Sequence, residues 1–285
     1  LFSFFGRSGA LEARGTLEQG NRVGEWTLFW LDGTPKQEGS YVDGLRDGVW
    51  TDFTPRGDII TQQNWVMGSK SGDFSHYHPN GQLQARGAYS AGKRSGDWEF
   101  YDQNGELRAQ GKMDRDLRDG PWSFFDASSR PLIDAVFRQG LAQGTWIYHY
   151  YPADGQQREE ATYLDDKAHG IWKGFWVDGD VPIYEQQWLD DAMNGPFVSW
   201  YRNGQKQREG QFSENISQGL WRWWHENGQL HREGEVLDDV PLNSWTTYHP
   251  NGQRASEGEY EGLSGRKKEG WRYWDENGNL LAEEP

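Results

Sequence analysis

The chain has 285 residues, of which 34% are hydrophobic, and its mean hydropathy is −0.98. Its formal net charge of −15 at pH 7 opposes binding to nucleic acid and to anionic lipid, because both depend on basic surfaces. The chain has no cysteine, which excludes disulfides and thiolate chemistry, and no apolar run in it is long enough to cross a membrane.

The sequence repeats with a period of about 24 residues, from one end of the chain to the other. An aromatic residue that we call the anchor recurs in every unit, and in nine of the twelve units a glycine stands two positions before it. The chain opens inside a repeat, at "LFSFFG", so we expect an upstream segment to be missing. The anchors are Phe2, Trp26, Trp50, Phe74, Trp98, Trp122, Trp146, Trp172, Phe197, Trp221, Trp245 and Trp271.

Each unit has the signature of a β-hairpin. In nine of the twelve units an Asn-Gly or Asp-Gly pair follows the anchor. The consensus continues as x-L-x-x-x-G-x-Y and then about six polar residues that we interpret as a loop. Asn, Asp and Gly tolerate the positive φ that a type I′ turn demands, and the flanks are rich in Trp, Tyr, Phe and Thr. We therefore predict an all-β fold: an elongated, single-layer antiparallel sheet of about twelve tandem hairpins, forming one array over residues 1–285. A closed propeller of four-stranded blades is the compact alternative.

The aromatic residues predict a sheet with rings on both faces. A second aromatic column stands three residues after the anchors, and residues three apart in a strand face opposite sides. Glycines two residues before the anchors, such as Gly24 and Gly48, are expected to let a neighbouring ring or backbone come close. The second column comprises Phe5, Phe29, Phe53, Tyr77, Tyr101, Phe125, Phe175, Trp200, Trp224, Tyr248 and Trp274, with His149 as the exception.

Three segments depart from the repeat. Residues 126–137 lose the Asn-Gly pair and the G-x-Y motif, residues 151–170 carry two extra residues, and residues 260–270 have a longer final loop. Such departures are expected in loops, either as tolerated drift or as part of a binding side.

These motifs resemble the variant MORN repeat, and the resemblance covers essentially the whole chain. Bacterial proteins built from this repeat include the YwqK-type family labelled as antitoxins, and proteins of similar build are immunity partners of secreted toxins. The resemblance implies a non-catalytic protein that binds and neutralises a secreted bacterial toxin, such as a type VI effector enzyme, by blocking its active site. A structural scaffold of the bacterial cell envelope is the alternative. The expected compartment is the periplasm, with the cytoplasm as the alternative.

Acidic pairs recur shortly after the G-x-Y motif, where stacked units would align them along one edge. Such an edge would attract a basic partner, or would simply keep an aromatic-rich sheet soluble. Four tryptophans are further candidates, because Trp is enriched at interface hot spots. Trp200 and Trp224 lie in the second column, whereas Trp176 and Trp223 lie outside both columns. The predicted partner-binding residues are Asp165, Asp166, Asp190, Asp191, Asp238, Asp239, Trp176, Trp200, Trp223 and Trp224.

No residue pattern indicates an enzyme, a metal site or a cofactor site. His78, His225 and His249 share one repeat position, which repetition explains as well as zinc binding does. The glycines follow the hairpin period rather than a phosphate-binding loop, and no G-x-S-x-G nucleophile motif occurs. We therefore expect no catalytic residue, no metal ligand and no cofactor.

Overall fold

The computed structural model describes residues 1–151, 157–176 and 181–284. It divides the chain into two compact units, Leu1–Leu141 (unit 1) and Ala142–Pro285 (unit 2). Every strand pairing in the described residues is antiparallel, and the one helical segment there is the 3-10 turn Gly262–Ser264. None of these residues forms a helix long and apolar enough to span a membrane. The all-β prediction is confirmed, whereas one array over residues 1–285 stays a prediction.

Unit 1 is a sheet in which each strand pairs with the next along the chain. The propeller alternative is therefore wrong for this unit, because its sheet continues far beyond four strands. Its strands are β1 (Phe2–Phe5), β2 (Leu11–Glu18), β3 (Asn21–Phe29), β4 (Pro35–Val42), β5 (Leu45–Phe53), β6 (Ile59–Val66), β7 (Ser69–Tyr77), β8 (Leu83–Ser90), β9 (Lys93–Tyr101), β10 (Leu107–Asp114), β11 (Leu117–Phe125) and β12 (Pro131–Arg138). The short β13 (Leu141–Ala142) follows.

Unit 2 follows the same pattern of hairpins in succession. Its strands are β14 (Gly144–Tyr150), β15 (Gln157–Leu164), β16 (Lys167–Ala168), β17 (Gly170–Trp176), β18 (Pro182–Leu189), β19 (Ala192–Trp200), β20 (Lys206–Ser213), β21 (Ile216–Trp224), β22 (Leu230–Leu237), β23 (Val240–Tyr248), β24 (Arg254–Glu261), β25 (Arg266–Lys267), β26 (Arg272–Trp274) and β27 (Leu280–Glu283).

The turn at the Asn-Gly pair is not of type I′, so that prediction is wrong. Between β7 and β8, Gly81 has a φ of +84°, but Asn80 is not at positive φ. The Gly81 N–H donates to the His78 carbonyl and the His78 N–H to the Gln82 carbonyl, which is the arrangement of a type I turn followed by a glycine bulge. The Asn80 side chain accepts the Gln82 N–H at 3.0 Å and donates to the carbonyl of Gln103, in the next hairpin.

The type I′ turns lie in the polar segment that the sequence suggested was a loop of about six residues. Asp43 and Gly44 both have positive φ, of 48° and 80°, and they alone separate β4 from β5. The same two-residue turn recurs at Gln19-Gly20, Met67-Gly68, Ala91-Gly92, Arg115-Asp116, Gln139-Gly140, Asp165-Asp166, Asp190-Asp191, Glu214-Asn215 and Asp238-Asp239. The polar residues on either side of each turn continue the strands.

A bulge before an anchor such as Trp98 tilts the anchor ring onto the preceding strand. At β8–β9 the paired residues jump from Arg86 and Glu99 to Ala88 and Ser95, and Gly96 in the bulge has a φ of +72°. The Trp98 ring then lies over Gly87, where an added Cβ would be 2.3 Å from it. The glycine that admits the ring is therefore that of the G-x-Y motif. The predicted one, two residues before the anchor, serves the backbone bend instead.

Six anchor tryptophans share one hydrogen bond, whereas Trp271 donates to the Glu259 carbonyl, twelve residues earlier, and the Trp221 indole N–H has no partner among the described residues. The indole N–H of Trp98 donates to the carbonyl of Ala88, ten residues earlier, at 3.2 Å. Trp26, Trp50, Trp122, Trp172 and Trp245 make the same bond to Thr16, Ser40, Lys112, Thr162 and Glu235. This carbonyl lies beside the bulge, where the ladder is interrupted, and the indole gives it a hydrogen-bond partner.

Rings occupy both faces of the sheet, as predicted. On the anchor face, Trp98 packs against Phe100 and Tyr89, with ring centroids 5.9 and 5.5 Å apart. On the opposite face the second-column Tyr101 donates its hydroxyl to Glu99 at 2.5 Å, and Glu99 pairs with Arg86. The anchor face is therefore the aromatic core of each hairpin row, whereas the opposite face mixes rings with ion pairs.

The departures from the repeat affect the fold little where the structure describes them. The turn at residues 126–130 keeps the usual hydrogen bonds, with Ser129 at a φ of +58° in the place of glycine. The last long loop contains the 3-10 turn Gly262–Ser264. Residues 152–156, within the segment that carries two extra residues, lie outside the described residues.

Candidate partner-binding surface

The six predicted aspartates occupy three type I′ turns of unit 2, where all six are exposed. Asp165 and Asp166 have φ values of 50° and 69°, and the other two pairs are similar. Asp is among the few residues that adopt this left-handed backbone at small cost. The recurrence of the acidic pairs therefore has a local structural cause, independent of any partner.

The second aspartate of each pair joins its turn to the preceding hairpin. Asp191 donates its N–H to the Ala168 carbonyl at 3.1 Å, and its carboxylate accepts the Ala168 N–H at 2.7 Å. Asp166 makes the same pair of bonds with Ala142. The Asp239 carboxylate instead accepts the Ser217 hydroxyl at 2.7 Å. These three carboxylates hold neighbouring hairpins together, as Asn215 does at Met193.

The first aspartate of each pair is freer to meet a partner. Asp165 accepts a hydrogen bond from the Gln143 amide, and Asp190 lies 4.0 Å from the Lys167 ammonium, which is a weak exposed ion pair. For Asp238, the N–H donates to the Ser217 carbonyl. That these residues bind a partner stays a prediction.

The structure separates the four predicted tryptophans. Trp223 lies on the anchor face, its ring 5.9 Å from that of Trp221 and 5.6 Å from that of Trp245. Trp224, the next residue, lies under the ammonium of Lys206 at 4.9 Å, on the face that bears the Lys206–Glu209 ion pair. Trp200 ends β19 opposite Lys206 in the register. Trp176 ends β17, with the Arg202 guanidinium 5.7 Å from its ring.

Trp223 and Asp239 take part in one concave feature of unit 2, which we call the aromatic groove. It spans β19 to β26 on the anchor face and has a volume of about 760 Å³. Four neighbouring hairpins contribute rings to its floor, and three of them contribute a cation to its walls. It is lined by Met193, Arg208, Phe212, Asn215, Trp221, Trp223, Arg232, Val236, Asp239, Pro241, Trp245, Thr247, Ser256, Tyr260, Lys267 and Trp271.

The cations of the groove are functional candidates that the sequence did not reveal. The guanidinium of Arg232 stacks on Trp223 at 4.2 Å, that of Arg208 on Phe197 at 4.8 Å, and the Lys267 ammonium lies 4.4 Å from the Trp271 ring. Burial lowers the pKa of Arg232, and the hydrogen bond from Lys267 to Tyr273 raises the pKa of Lys267. Arg208 and Arg232 stand one period apart, and each begins a tripeptide Arg-Glu-Gly. This repeated tripeptide is the sequence signal from which the two arginines could have been predicted.

The three histidines that share a repeat position bond to neighbouring hairpins. Nε2 of His78, His225 and His249 lies 2.9–3.0 Å from the carbonyl oxygens of Tyr101, Tyr248 and Trp274. A carbonyl only accepts, so Nε2 is the protonated nitrogen in each ring. Among the residues that the structure describes, no three His, Asp or Glu side chains converge as metal ligands would.

Comparison with known proteins identifies the repeat. Residues 22–43, 70–90, 94–114, 193–214, 217–238 and 243–261 match the family model described as the MORN repeat variant. These matches support a MORN-repeat family and do not extend to the YwqK-type antitoxins. MORN repeats indicate a repeat-based binding or scaffold protein.

Two further comparisons add little. No curated protein matches the sequence. A solved structure described as "Crystal Structure of TcdB2-TccC3-TEV" is similar, with 12% identity and a TM-score of 0.16. The alignment covers 95% of this chain but only 17% of that one, and at this TM-score it supports no inference.

Proposed function

We propose that this protein, whose hairpins include six variant MORN repeats, is a non-catalytic binding protein that captures a protein partner in the aromatic groove of unit 2. Within this class we propose an immunity or antitoxin role: the partner is a secreted bacterial toxin, such as a type VI effector enzyme, whose active site becomes covered. The observation that carries the proposal is the groove itself, in which Trp223, Arg208 and Arg232 come together.

The groove is rich in residue types that are enriched at protein interfaces, which supports the proposal. Trp, Tyr and Arg are the residues most enriched at binding hot spots, because rigid rings bury much area at low entropic cost. Trp221, Trp245 and Trp271 are at least 93% buried and form a rigid floor, whereas Trp223 is only partly buried. A partner side chain inserted above Trp223 would therefore gain contact area without displacing the core.

The charge of unit 2 favours a basic partner. Unit 2 contains 13 Lys and Arg against 25 Asp and Glu, whereas unit 1 contains 16 against 19. An excess of this size steers an oppositely charged protein during encounter and raises the association rate at low salt. Exposed turn carboxylates such as Asp165 and Asp190 contribute to this field.

The test is affinity capture from the native organism with the purified chain and two variants as bait. Trp223→Ala removes a groove ring, and Trp274→Ala is its control, a partly buried Trp of the second aromatic column that is not among the predicted partner-binding residues. We expect the wild type and Trp274→Ala to retain one basic enzyme and to inhibit it, and Trp223→Ala to bind it at least about tenfold more weakly.

Two outcomes would contradict this proposal. Equal binding by both variants would remove the groove from the interface. Recovery of several envelope-assembly proteins with no enzyme among them would replace the immunity role by the envelope scaffold. The periplasmic location that we propose is checked by fractionating the native cells; recovery in the cytosolic fraction would contradict it.

A further inference from the structure

A row of cations crosses the anchor face of unit 1, and we call it the basic ladder. Its five members stand four residues before successive anchors, at intervals of 24 residues. Each head group lies over an aromatic ring, between 4.0 Å (Arg46 on Trp50) and 5.7 Å (Arg94 on Trp98) from the ring centroid. The ladder comprises Arg22, Arg46, Lys70, Arg94 and Arg118.

The ladder is short of carboxylates in a chain that has 44 of them. Arg94 pairs with Asp116 at 3.3 Å, but Arg22 donates to the Tyr41 hydroxyl and Arg46 to the Gln37 amide oxygen. Within the part of the chain that the structure describes, no salt bridge involves Arg22, Arg46, Lys70 or Arg118. On the opposite face, by contrast, Arg86 is paired with Glu99.

The fold does not require a cation at this position. In unit 2 the same register holds Met193 before Phe197, Ser217 before Trp221 and Pro241 before Trp245. Trp221 and Trp245 are nevertheless buried, with 4% and 7% of their surface exposed. The need to cover the anchor ring therefore does not explain why unit 1 has five successive cations at this position.

We infer that the basic ladder is a docking surface for an extended acidic segment of a partner protein. Adjacent strands lie about 4.8 Å apart. Successive members of the basic ladder are two strands apart, so they are spaced by about 9.6 Å. A peptide in the extended polyproline II conformation has three residues per turn and rises about 3.1 Å per residue. Carboxylates at every third residue therefore lie on one side of it, about 9.3 Å apart, and match the spacing of the ladder. Each guanidinium has five donors and uses few of them within the chain, which leaves the others for bidentate bonds to carboxylate.

This inference is independent of the function proposed for unit 2, since it concerns the other unit and the opposite partner charge. The first experiment measures fluorescence anisotropy of labelled peptides with the full chain. One peptide has Glu at every third position among Ser and Gly, and a second has the same composition with the Glu residues clustered. We expect the spaced peptide to bind at least about fivefold tighter, with affinity that falls as salt rises. Equal affinity of the two peptides would overturn the spacing argument.

The second experiment locates the site with two triple variants of equal charge change. The ladder variant combines Arg22→Gln, Arg46→Gln and Arg118→Gln, and so removes three members of the basic ladder. The control removes three unit 1 arginines outside the ladder, with Arg56→Gln, Arg115→Gln and Arg138→Gln; Gln19 and Gln139 show that Gln suits the turn position of Arg115. We expect peptide binding to fall at least about tenfold in the ladder variant and less than twofold in the control.

The remaining measurements make each outcome decisive. Circular dichroism and Trp fluorescence verify that both variants are folded. If the ladder variant unfolds, a second peptide replaces it as the control: the spaced peptide with Lys in place of Glu, measured with the wild-type chain. Equal affinity for the Glu and Lys peptides would overturn the proposal. Ladder-dependent binding of anionic vesicles or of a DNA duplex, without binding of the acidic peptide, also overturns it. Trp223→Ala should leave peptide binding unchanged, which separates this surface from the aromatic groove.

Discussion

Gln63 and Phe74 face each other across β6 and β7, and together they replace the glycine and tryptophan that meet at this register in most hairpins. Gln63 is 5% exposed, and its amide nitrogen donates to the Asn64 carbonyl at 2.7 Å. Asn64 stands ten residues before the anchor Phe74, so this is the carbonyl that an anchor indole would otherwise satisfy. Gln186 and Phe197 repeat the substitution in unit 2, with a bond of 2.6 Å to the Gln187 carbonyl.

The first prediction is that these two residues are energetically coupled. Phe74→Trp alone should overpack against Gln63, and Gln63→Gly alone should leave a void and an unsatisfied carbonyl, each destabilising by about 1–3 kcal/mol. The double variant should recover most of this loss, because it recreates the Trp98–Gly87 arrangement. Urea denaturation of the four proteins in a double-mutant cycle measures the coupling. Simple additivity of the two single losses would show that the pair does not act as a unit.

The second prediction compares two glycines of one hairpin. Gly87→Ala should destabilise by about 2–4 kcal/mol, because its Cβ would be 2.3 Å from the Trp98 ring. Gly96→Ala meets no atom within 4 Å and suffers only from its φ of +72°, which predicts a loss of about 1–2 kcal/mol. Thermal denaturation ranks the variants. A larger loss for Gly96→Ala would mean that backbone strain outweighs ring packing here.

The third prediction concerns the turn carboxylate of Asp191. Asp191→Asn should be nearly neutral, because Asn215 fills the equivalent position and accepts the same kind of bond. Asp191→Ala should destabilise by about 1–2 kcal/mol, because it loses the acceptor for the Ala168 N–H and leaves Ala at a φ of 70°. Asp190→Asn, at the first turn position, is the control. Hydrogen exchange at the Ala168 amide reports the bond directly, and unchanged protection in Asp191→Ala would contradict its role.

The fourth prediction is a pH dependence in unit 1. The hydrogen bond from Arg86, and then that from Tyr101, holds the pKa of Glu99 below its ordinary value. A carboxyl with a lowered folded-state pKa contributes stability above its unfolded pKa of about 4.3, and this is lost as pH falls through the folded pKa.

Glu99→Gln should therefore show a shallower loss of stability below about pH 4.5 than the wild type, with a difference under about 1 kcal/mol for this partly exposed pair. Urea denaturation between pH 3 and pH 6 tests this. Arg86→Gln removes the main cause of the lowered pKa and should give a similarly shallow slope. A wild-type slope in both variants would place the acid-sensitive group elsewhere.

The fifth prediction is that the aligned histidines act through hydrogen bonds rather than through a metal. His225→Ala should destabilise by about 1 kcal/mol through loss of the bond to the Tyr248 carbonyl. Zinc or a chelator should leave the melting temperature of the wild type unchanged. A zinc-dependent rise that His225→Ala abolishes would contradict this interpretation.

The repeat sequence was enough to predict the hairpins, because strand propensity, turn residues and period are local signals that every unit restates. It located both aromatic columns, and the Asn-Gly pairs marked one turn in six of the twelve units. It misassigned the turn types, because Asn-Gly suits both a type I′ turn and a glycine bulge, and the choice depends on how the flanking strands pair.

Only the tertiary structure decided what lies against what. The bulge before Trp98 shifts the pairing, and this shift selects Gly87, eleven residues away, as the glycine beneath the ring. The bonds between Asp191 and Ala168 likewise join residues of different hairpins. Gln63 and Phe74, which replace the usual Gly and Trp, also meet across two strands. The basic ladder and the aromatic groove arise in the same way, since stacking places residues 24 positions apart side by side. A sequence pattern states which residues recur, but the register between strands determines which of them meet.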